Sequence, residues 1–581
     1  MKSFIQYSKS ILLLLGNRKK LVPWLILIFL FSSLLEVIGI GLIAPFIALI
    51  INPDSFLESS NLPFKELFLS YDSVENLVIL FGFVLILVFT IKTVSVIFIN
   101  FLIIKFAYTQ EIKLRSFLMS SYQSLQYPDY VKRNSAEYIY NINNLASQFS
   151  QGIVQSWLRL FSEGIVTISI FCLLAFTDIY SLLSLVAIVG LLLIVYWTIF
   201  NVKLKNLGKK SNDSNRLMVK SINEGMTGFK EIRILQKEQY FFDKVYESSN
   251  IYSDAGILTG VIQSMPRYLL ELVLIIFVFL IIYVSLLLEM DLNLIIPTLG
   301  LFAVAAIRLL PSINQIMNSI LALRQGQNSL DILVEDYSKF IYKPNSEVIN
   351  SDEMPKRKLT FNQIEFRGIN FKYFDSYNNV LENVNFIIKS GESIGIMGPS
   401  GGGKTTLIDV MLGLLEPLKG EVLINKINMF NILDEWRSKV AYLPQEVFLI
   451  DDTLRQNIVL EGNKKLIDEE KLQKAIHMSQ LNSLINELPN GLNTIVGDKG
   501  IMLSGGQRQR VSLARAFYYD RDVLVMDEST SALDQETEKE IINEIKFLHG
   551  KKTLIVIAHS ISTLKNCDHI FKIQDGSVHQ I

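Results

Sequence analysis

The residues with the most evident chemistry lie at 398–406, "GPSGGGKTT": Gly398, Pro399, Ser400, Gly401, Gly402 and Gly403, then Lys404, Thr405 and Thr406. Glycines let backbone N–H groups close on an anion, a lysine adds a point charge, and a hydroxyl can ligate a divalent cation. The strand-like "ESIGIM" before this stretch and the helix-like "LIDVMLGL" after it supply the context a phosphate-binding loop requires, since a helix N-terminus favours negative charge. Downstream, "VLVMDEST" (523–530) has the character of a buried strand ending in two carboxylates. Asp527 is suited to orienting Mg²⁺ and Glu528 to polarising an attacking water. Between these stretches, "LSGGQRQR" (503–510) places a serine and two glycines just before a helix, a second N-terminus able to face an anion.

These motifs, in this order within residues 356–581, resemble the nucleotide-binding domain of ABC transporters. The resemblance implies that two such domains sandwich two ATP molecules, with Ser504, Gly505, Gly506 and Gln507 facing the γ-phosphate held by residues 398–406 of a second copy. It further implies that Tyr373 in "FKYFDS" stacks on adenine, that Gln445 in "YLPQE" senses Mg²⁺ and the membrane domain, that Asp534 in "SALD" links the two sites, and that His559 in "VIAHS" contacts the γ-phosphate. Thr405, Gln445 and Asp527 become the Mg²⁺ residues, and Glu528, His559 and Gln445 the catalytic ones. Every hydrolytic motif is intact, so the expectation is a competent ATPase using ATP and Mg²⁺, most simply a homodimer.

The elements that must carry this chemistry fall into two halves. Half of the 581 residues are hydrophobic, and six runs are long enough to span a bilayer: 21–50, 77–106, 156–177, 179–202, 263–288 and 293–322. From about residue 356 the chain alternates charged helices with short β-branched strands, as a water-exposed α/β domain does. The net charge of −1 gives no reason to expect nucleic acid, and two cysteines, Cys172 and Cys567, argue against a disulfide framework. Lys2, Lys9, Arg18, Lys19 and Lys20 precede the first run without an acid, whereas the loop 52–76 carries Asp54, Glu58, Glu66, Asp72 and Glu75 against Lys65. By the positive-inside rule the N-terminus, and with six spans the C-terminal domain, are cytoplasmic.

The order of membrane half then ATPase resembles an ABC exporter half-transporter. That implies a multidomain membrane protein: an all-α six-helix transmembrane domain (the type I exporter fold, also called type IV) over 1–325, a linker over 326–355, and an α/β P-loop nucleotide-binding domain over 356–581. The implied location is a bacterial inner membrane, multi-pass, with the ATPase domain cytoplasmic. The loops around 133–143 and 225–238 are expected to dock on the ATPase domains.

Charges inside the membrane runs bear on the cargo, because a guanidinium in hydrocarbon costs at least ~2.5 kcal/mol unless it pairs, snorkels or serves a function. Lys92 and Arg308 lie at similar depth, about 22 and about 20 Å from the outer ends of their runs at ~1.5 Å per residue. With Arg267 they could form a positive belt for an anionic headgroup taken from the inner leaflet. Two other readings stand: Arg267 could pair with Glu271 one turn on, and Lys92 or Arg308 could snorkel, with Glu36 the internal partner of one cation. "LEVIGIGLIAPFI" (35–47), "PRYLLE" (266–271) and "IRLLPS" (307–312) resemble the lipid-linked oligosaccharide flippases of bacterial N-glycosylation. In that family arginines lining the cavity handle a pyrophosphate and a short external helix, here "LPFKELFL" (62–69), contacts the lipid. Peptides or hydrophobic drugs are the alternative cargo, and an ATP-gated channel the alternative class.

Overall fold

A computed structural model describes residues 4–51, 74–177, 179–287, 292–341, 359–373, 378–462, 466–497, 500–527, 548–558, 564–565 and 567–581. The chain divides into two compact units, Met1–Leu125 with Lys132–Ile349, and Gln126–Val131 with Asn350–Ile581.

The first unit is helical. Its long helices are α1 (Val22–Gly41), α2 (Val74–Gln123), α3 (Gln155–Thr177), α4 (Ile179–Thr227), α5 (Glu238–Leu287) and α6 (Leu292–Gln325), one over each expected run. Among the described residues, five helical stretches are long and apolar enough to cross a membrane. At 1.5 Å per residue the 50 residues of α2 and of α5 reach about 75 Å, well beyond a hydrocarbon core of ~30 Å. Outward-facing Trp24, Ile86, Leu191 and Phe279 are exposed, as suits helices whose solvent is lipid.

Two local devices set the packing of these helices. A Cβ on Gly208 of α4 would lie 2.2 Å from the Gln325 carbonyl oxygen, so only glycine permits that approach to α6. Pro266 inside α5 cannot donate to the carbonyl of Ile262, and the Tyr196 hydroxyl of α4 donates to that oxygen instead.

Residues 327–341, expected within a linker, form helix α7 (Gln327–Ile341), which buries Leu330 and Leu333 in the first unit's core. Its buried Asp336 accepts hydrogen bonds from Arg133 (2.9 Å), Tyr122 (2.7 Å) and Asn141 (3.2 Å). That network ties the stretch 133–143 to α7 within the first unit. The Arg133 charge is taken up by Asp336, and the stretch stays with the first unit, whereas the helix Tyr127–Val131 just before it belongs to the second. The tip at 225–238 also lies in the first unit and leaves Met226, Phe229, Ile234 and Leu235 exposed.

The second unit contains two sheets. β1 (Gln363–Phe371), β2 (Leu381–Lys389), β4 (Lys419–Ile424) and β5 (Ile427–Asn428) form an antiparallel sheet of order β2-β1-β4-β5. β3 (Ser393–Met397), β6 (Val440–Leu443), β7 (Val523–Asp527), β8 (Thr553–Ile557), β9 (His569–Gln574) and β10 (Ser577–Gln580) form the other, of order β10-β9-β3-β8-β7-β6. All its neighbours are parallel except β10 against β9. β3 and β7 are apolar along their length because layers cover both faces, with Ile394, Ile396, Val525 and Ile555 in one core with Leu407.

Register places the chemistry. Ile396 and Asp527 both pair with Ile557, so Asp527 stands level with Ile396, two strands across at ~10 Å. The phosphate loop begins two residues after Ile396. Both motifs therefore end at the carboxyl edge of the sheet, where open α/β sheets hold their ligands.

Candidate functional site

The loop after β3 turns into helix α8 (Lys404–Met411) through Gly401 and Gly403, at φ +77° and +97°. At Gly403 a Cβ would also meet the Val380 carbonyl oxygen at 2.9 Å, so a side chain there is excluded twice over. The Lys404 ammonium is buried and donates to the carbonyls of Gly398 (2.8 Å) and Pro399 (3.1 Å). Those partners are neutral, so the positive charge is held in place without being cancelled. Thr405 is exposed at the helix start, while Thr406 is buried and bonded to the Tyr373 hydroxyl at 3.1 Å. Tyr373 stands 45 % exposed beside the loop, edge-on to Phe371 at 5.2 Å.

Asp527 accepts from the Tyr442 hydroxyl at 3.3 Å. Burial, then the charge of Asp527, pushes the carboxyl of Asp409 on α8 up to about 6. Burial, then Asp527 and Asp409, pushes the Tyr442 phenol up as well. The sheet edge thus concentrates negative charge that a cation would relieve. The Thr405 hydroxyl and the Asp527 carboxylate are oxygen donors of the type Mg²⁺ takes alongside phosphate and water, so these residues fit that ion. Gln445 is exposed in the turn after β6. Tyr127, from the segment 126–131, is raised by burial and then by Asp409 and Tyr373, which puts that short helix beside the same edge.

The second glycine motif caps helix α9 (Gly505–Tyr519). The Ser504 hydroxyl accepts from the Gln507 N–H (3.2 Å), and the Gln507 side chain accepts from the Ser504 N–H (2.8 Å). This reciprocal cap fixes the helix start, where the N–H groups of Gly505 and Gly506 have no intrahelical partner and remain for an anion. Glu528, Asp534 and His559 lie outside the described residues. In sequence Glu528 directly follows β7, and His559 follows β8 after Ala558.

In the first unit the expected belt of three cations resolves differently. Glu36, 0 % exposed on α1, accepts on Oε1 from Lys92 of α2 and from Arg308 of α6, each at 2.7 Å. Arg308 also lies 3.4 Å from Glu163 of α3 and donates to Ser312 at 2.8 Å, and Ser312 donates to Glu163 at 2.8 Å. Lys92 and Arg308 do converge, but on two carboxylates rather than as a free positive surface. Arg267 does not join them. It is 67 % exposed and pairs with Glu271 at 3.0 Å, one turn along its own helix. The external stretch 62–69 lies outside the described residues.

Sequence reasoning missed Arg159 and Glu163, although the charged pair in "WLRLFSEG" opens the run 156–177 and obeys the same logic as Arg308. Both line a polar cavity of about 260 Å³ with Glu36, Asn100, Arg308 and Gln315. An apolar cavity of about 420 Å³ lies on other faces of the same helices, lined by Phe171 and Leu174 of α3, Phe277 of α5, and Ile307, Leu310 and Ile313 of α6.

The fold and the carboxyl-edge motifs define a P-loop nucleotide-binding domain carried on a multi-pass helical membrane unit. A family profile described as "ABC transporter" matches residues 381–531, and one described as "ABC transporter transmembrane region" matches residues 25–308. The chain belongs to the ABC transporters, as an exporter-type half-transporter in which ATP hydrolysis is coupled to transport. It is 27 % identical over 450 residues, 77 % of its length and 76 % of the other's, to an "ATP-dependent lipid A-core flippase" of Wigglesworthia glossinidia brevipalpis. It is 40 % identical over 219 residues, 38 % of its length and 17 % of the other's, to "ABC transporter B family member 14" of Arabidopsis thaliana. A solved structure described as "a bacterial Atm1-family ABC exporter with ATP bound" superposes with a TM-score of 0.73 at 17 % identity, over 97 % of this chain and 95 % of that one.

Proposed function

We propose that the protein is an ATP-driven flippase for an anionic amphipathic lipid, of the lipid-linked saccharide class, working as a homodimer in a bacterial inner membrane with its ATPase domain in the cytoplasm. The observation that carries this reading is the pair of cavities on α3 and α6, one charged and one apolar, matched to a headgroup and a hydrocarbon chain. The lipid A-core flippase relative, aligned over most of both chains, supports the same cargo class.

ATP is held by the N–H groups of 398–406 and by Lys404, with Tyr373 against the base. The Thr405 hydroxyl and the Asp527 carboxylate would hold Mg²⁺, with Gln445 sensing it, and the ion would supply charge neutralisation at the phosphates. Glu528 orients and deprotonates the attacking water, His559 contacts the γ-phosphate and Asp534 links the two sites. The exposed N-terminus of α9, capped by Ser504 and Gln507, serves the ATP of a second copy, and the apolar tip at Met226, Phe229, Ile234 and Leu235 suits docking on that copy. One observation favours peptide or drug export instead: Lys92 and Arg308 already have carboxylate partners. The test is flipping in proteoliposomes with polyprenyl-pyrophosphate saccharides against hydrophobic peptides. ATP-dependent movement of the lipid alone supports the flippase, and movement of peptides alone overturns it.

A further inference from the structure

We propose that Arg159 is the residue that binds the anionic group of the cargo, in the polar cavity between α1, α2, α3 and α6. The proposal rests on the lipid reading above and deepens it. Five charged side chains meet around this cavity: Lys92, Arg159 and Arg308 against Glu36 and Glu163. Glu36 is shared by Lys92 and Arg308, and Glu163 is engaged by Arg308 and Ser312. These four charges cancel. Arg159 is the remainder: among the described residues its guanidinium has no ion pair and no hydrogen bond, and its Nε is buried without a partner.

Glu163 stands one turn along the same helix, yet its contacts run to Arg308 and Ser312. A buried donor left unmade is costly, and a charged one more so, so such a group calls for a partner supplied from outside the chain. The cavity of about 260 Å³ admits one, and Asn100 and Gln315 on its wall add amide groups for further hydrogen bonds. The surplus of one positive charge selects an anion, and the planar fork of N–H groups selects phosphate or carboxylate over halide. Along α3 the wall changes from Arg159, Ser162 and Glu163 to Phe171 and Leu174 of the apolar cavity, so an anion held at Arg159 has hydrocarbon-compatible surface within a few turns.

The experiment uses the full-length protein in phosphatidylcholine nanodiscs, with ATPase rate read against added undecaprenyl pyrophosphate, neutral undecaprenol or inorganic pyrophosphate. The expected wild-type result is stimulation by the charged lipid and none by undecaprenol. Arg159→Gln should raise the half-stimulating concentration about tenfold or more, the scale of one charge-assisted hydrogen-bond set, and Arg159→Lys less. If Arg159→Gln does not fold, the Lys variant carries the test, and an unchanged half-stimulating concentration there overturns the proposal. A lowered maximal rate at unchanged half-stimulating concentration would assign Arg159 to helix motion and also overturn it. Stimulation of the wild type by the lipid with no shift in either variant sinks the Arg159 role and leaves the lipid reading standing. Stimulation by inorganic pyrophosphate with the same Arg159 dependence keeps the anion site but makes its source soluble. No response of the wild type to any anion removes both.

Discussion

Lys404 and Arg308 are both cations withdrawn from solvent, and the chain treats them in opposite ways. Lys404 donates to two neutral carbonyls, which orient the ammonium and leave its charge to act on an incoming phosphate. Arg308 faces Glu36 and Glu163, which cancel it. The difference follows from the surroundings: the phosphate loop opens at the edge of a water-exposed domain, whereas a bare guanidinium among apolar helices has no such relief. A buried positive charge therefore marks a binding site only where no carboxylate cancels it. By that criterion Lys404 and Arg159 qualify, and Lys92 and Arg308 do not.

The largest effects should come from the ATPase side. Glu528→Gln is expected to lower ATP turnover by roughly 10²- to 10⁴-fold, the usual contribution of a positioned general base, while ATP still binds and closes the dimer. Lys404→Ala should cost on the order of 10²- to 10³-fold and weaken ATP binding as well. Steady-state phosphate release with a nucleotide-binding titration separates the two. Near-normal turnover in the Lys404 variant would break the comparison at its stronger end.

Next comes the charge cluster. Glu36→Gln removes the carboxylate that two cations share, and breaking a buried pair typically costs about 3–5 kcal/mol. The melting temperature in detergent should fall clearly, and the added loss of Lys92 in Glu36→Gln/Lys92→Met should restore part of it. If Glu36→Gln melts like the wild type, the cations are not held as a neutral cluster. Asp336→Ala strips one carboxylate from Arg133, Tyr122 and Asn141 and should destabilise on a similar or slightly smaller scale, about 3 kcal/mol. Its effect reads out on the first unit, where that network lies.

What was legible in the sequence follows the same division. The phosphate loop, the strand ending in Asp527 and the capped helix at Ser504 are local patterns, so residue type and spacing expose them. The six long helices of the first unit were legible because lipid demands apolar length. Glu36 was legible as the partner of one cation, but not that Lys92 and Arg308 share it nor that Glu163 joins them, since the four residues come from four different helices and meet only through tertiary packing. Helix α7 reads as linker from sequence because its acid, Asp336, looks like an ordinary solvated charge until Arg133 is placed against it. Arg159 is hard to single out from sequence because it lies at the start of the run 156–177, where a charge reads as interfacial, although Glu163 one turn further in repeats the signal.

Arg267 gives the smallest effect and the sharpest check on the rule. It carries the same charge as Arg308 and sits in a stretch with similar family resemblance, yet its side chain is 67 % exposed and pairs with Glu271 along one helix face. Exposed i,i+4 pairs are worth about 0.3–0.5 kcal/mol and are screened by salt. Arg267→Gln should therefore shift the melting temperature hardly at all and leave the half-stimulating concentration for a charged lipid where it was. An Arg267→Gln variant that loses lipid stimulation as Arg159→Gln does would mean that exposure and pairing are poor guides to which membrane cations meet the cargo. The charge count around Glu36 would then no longer pick out the binding residue.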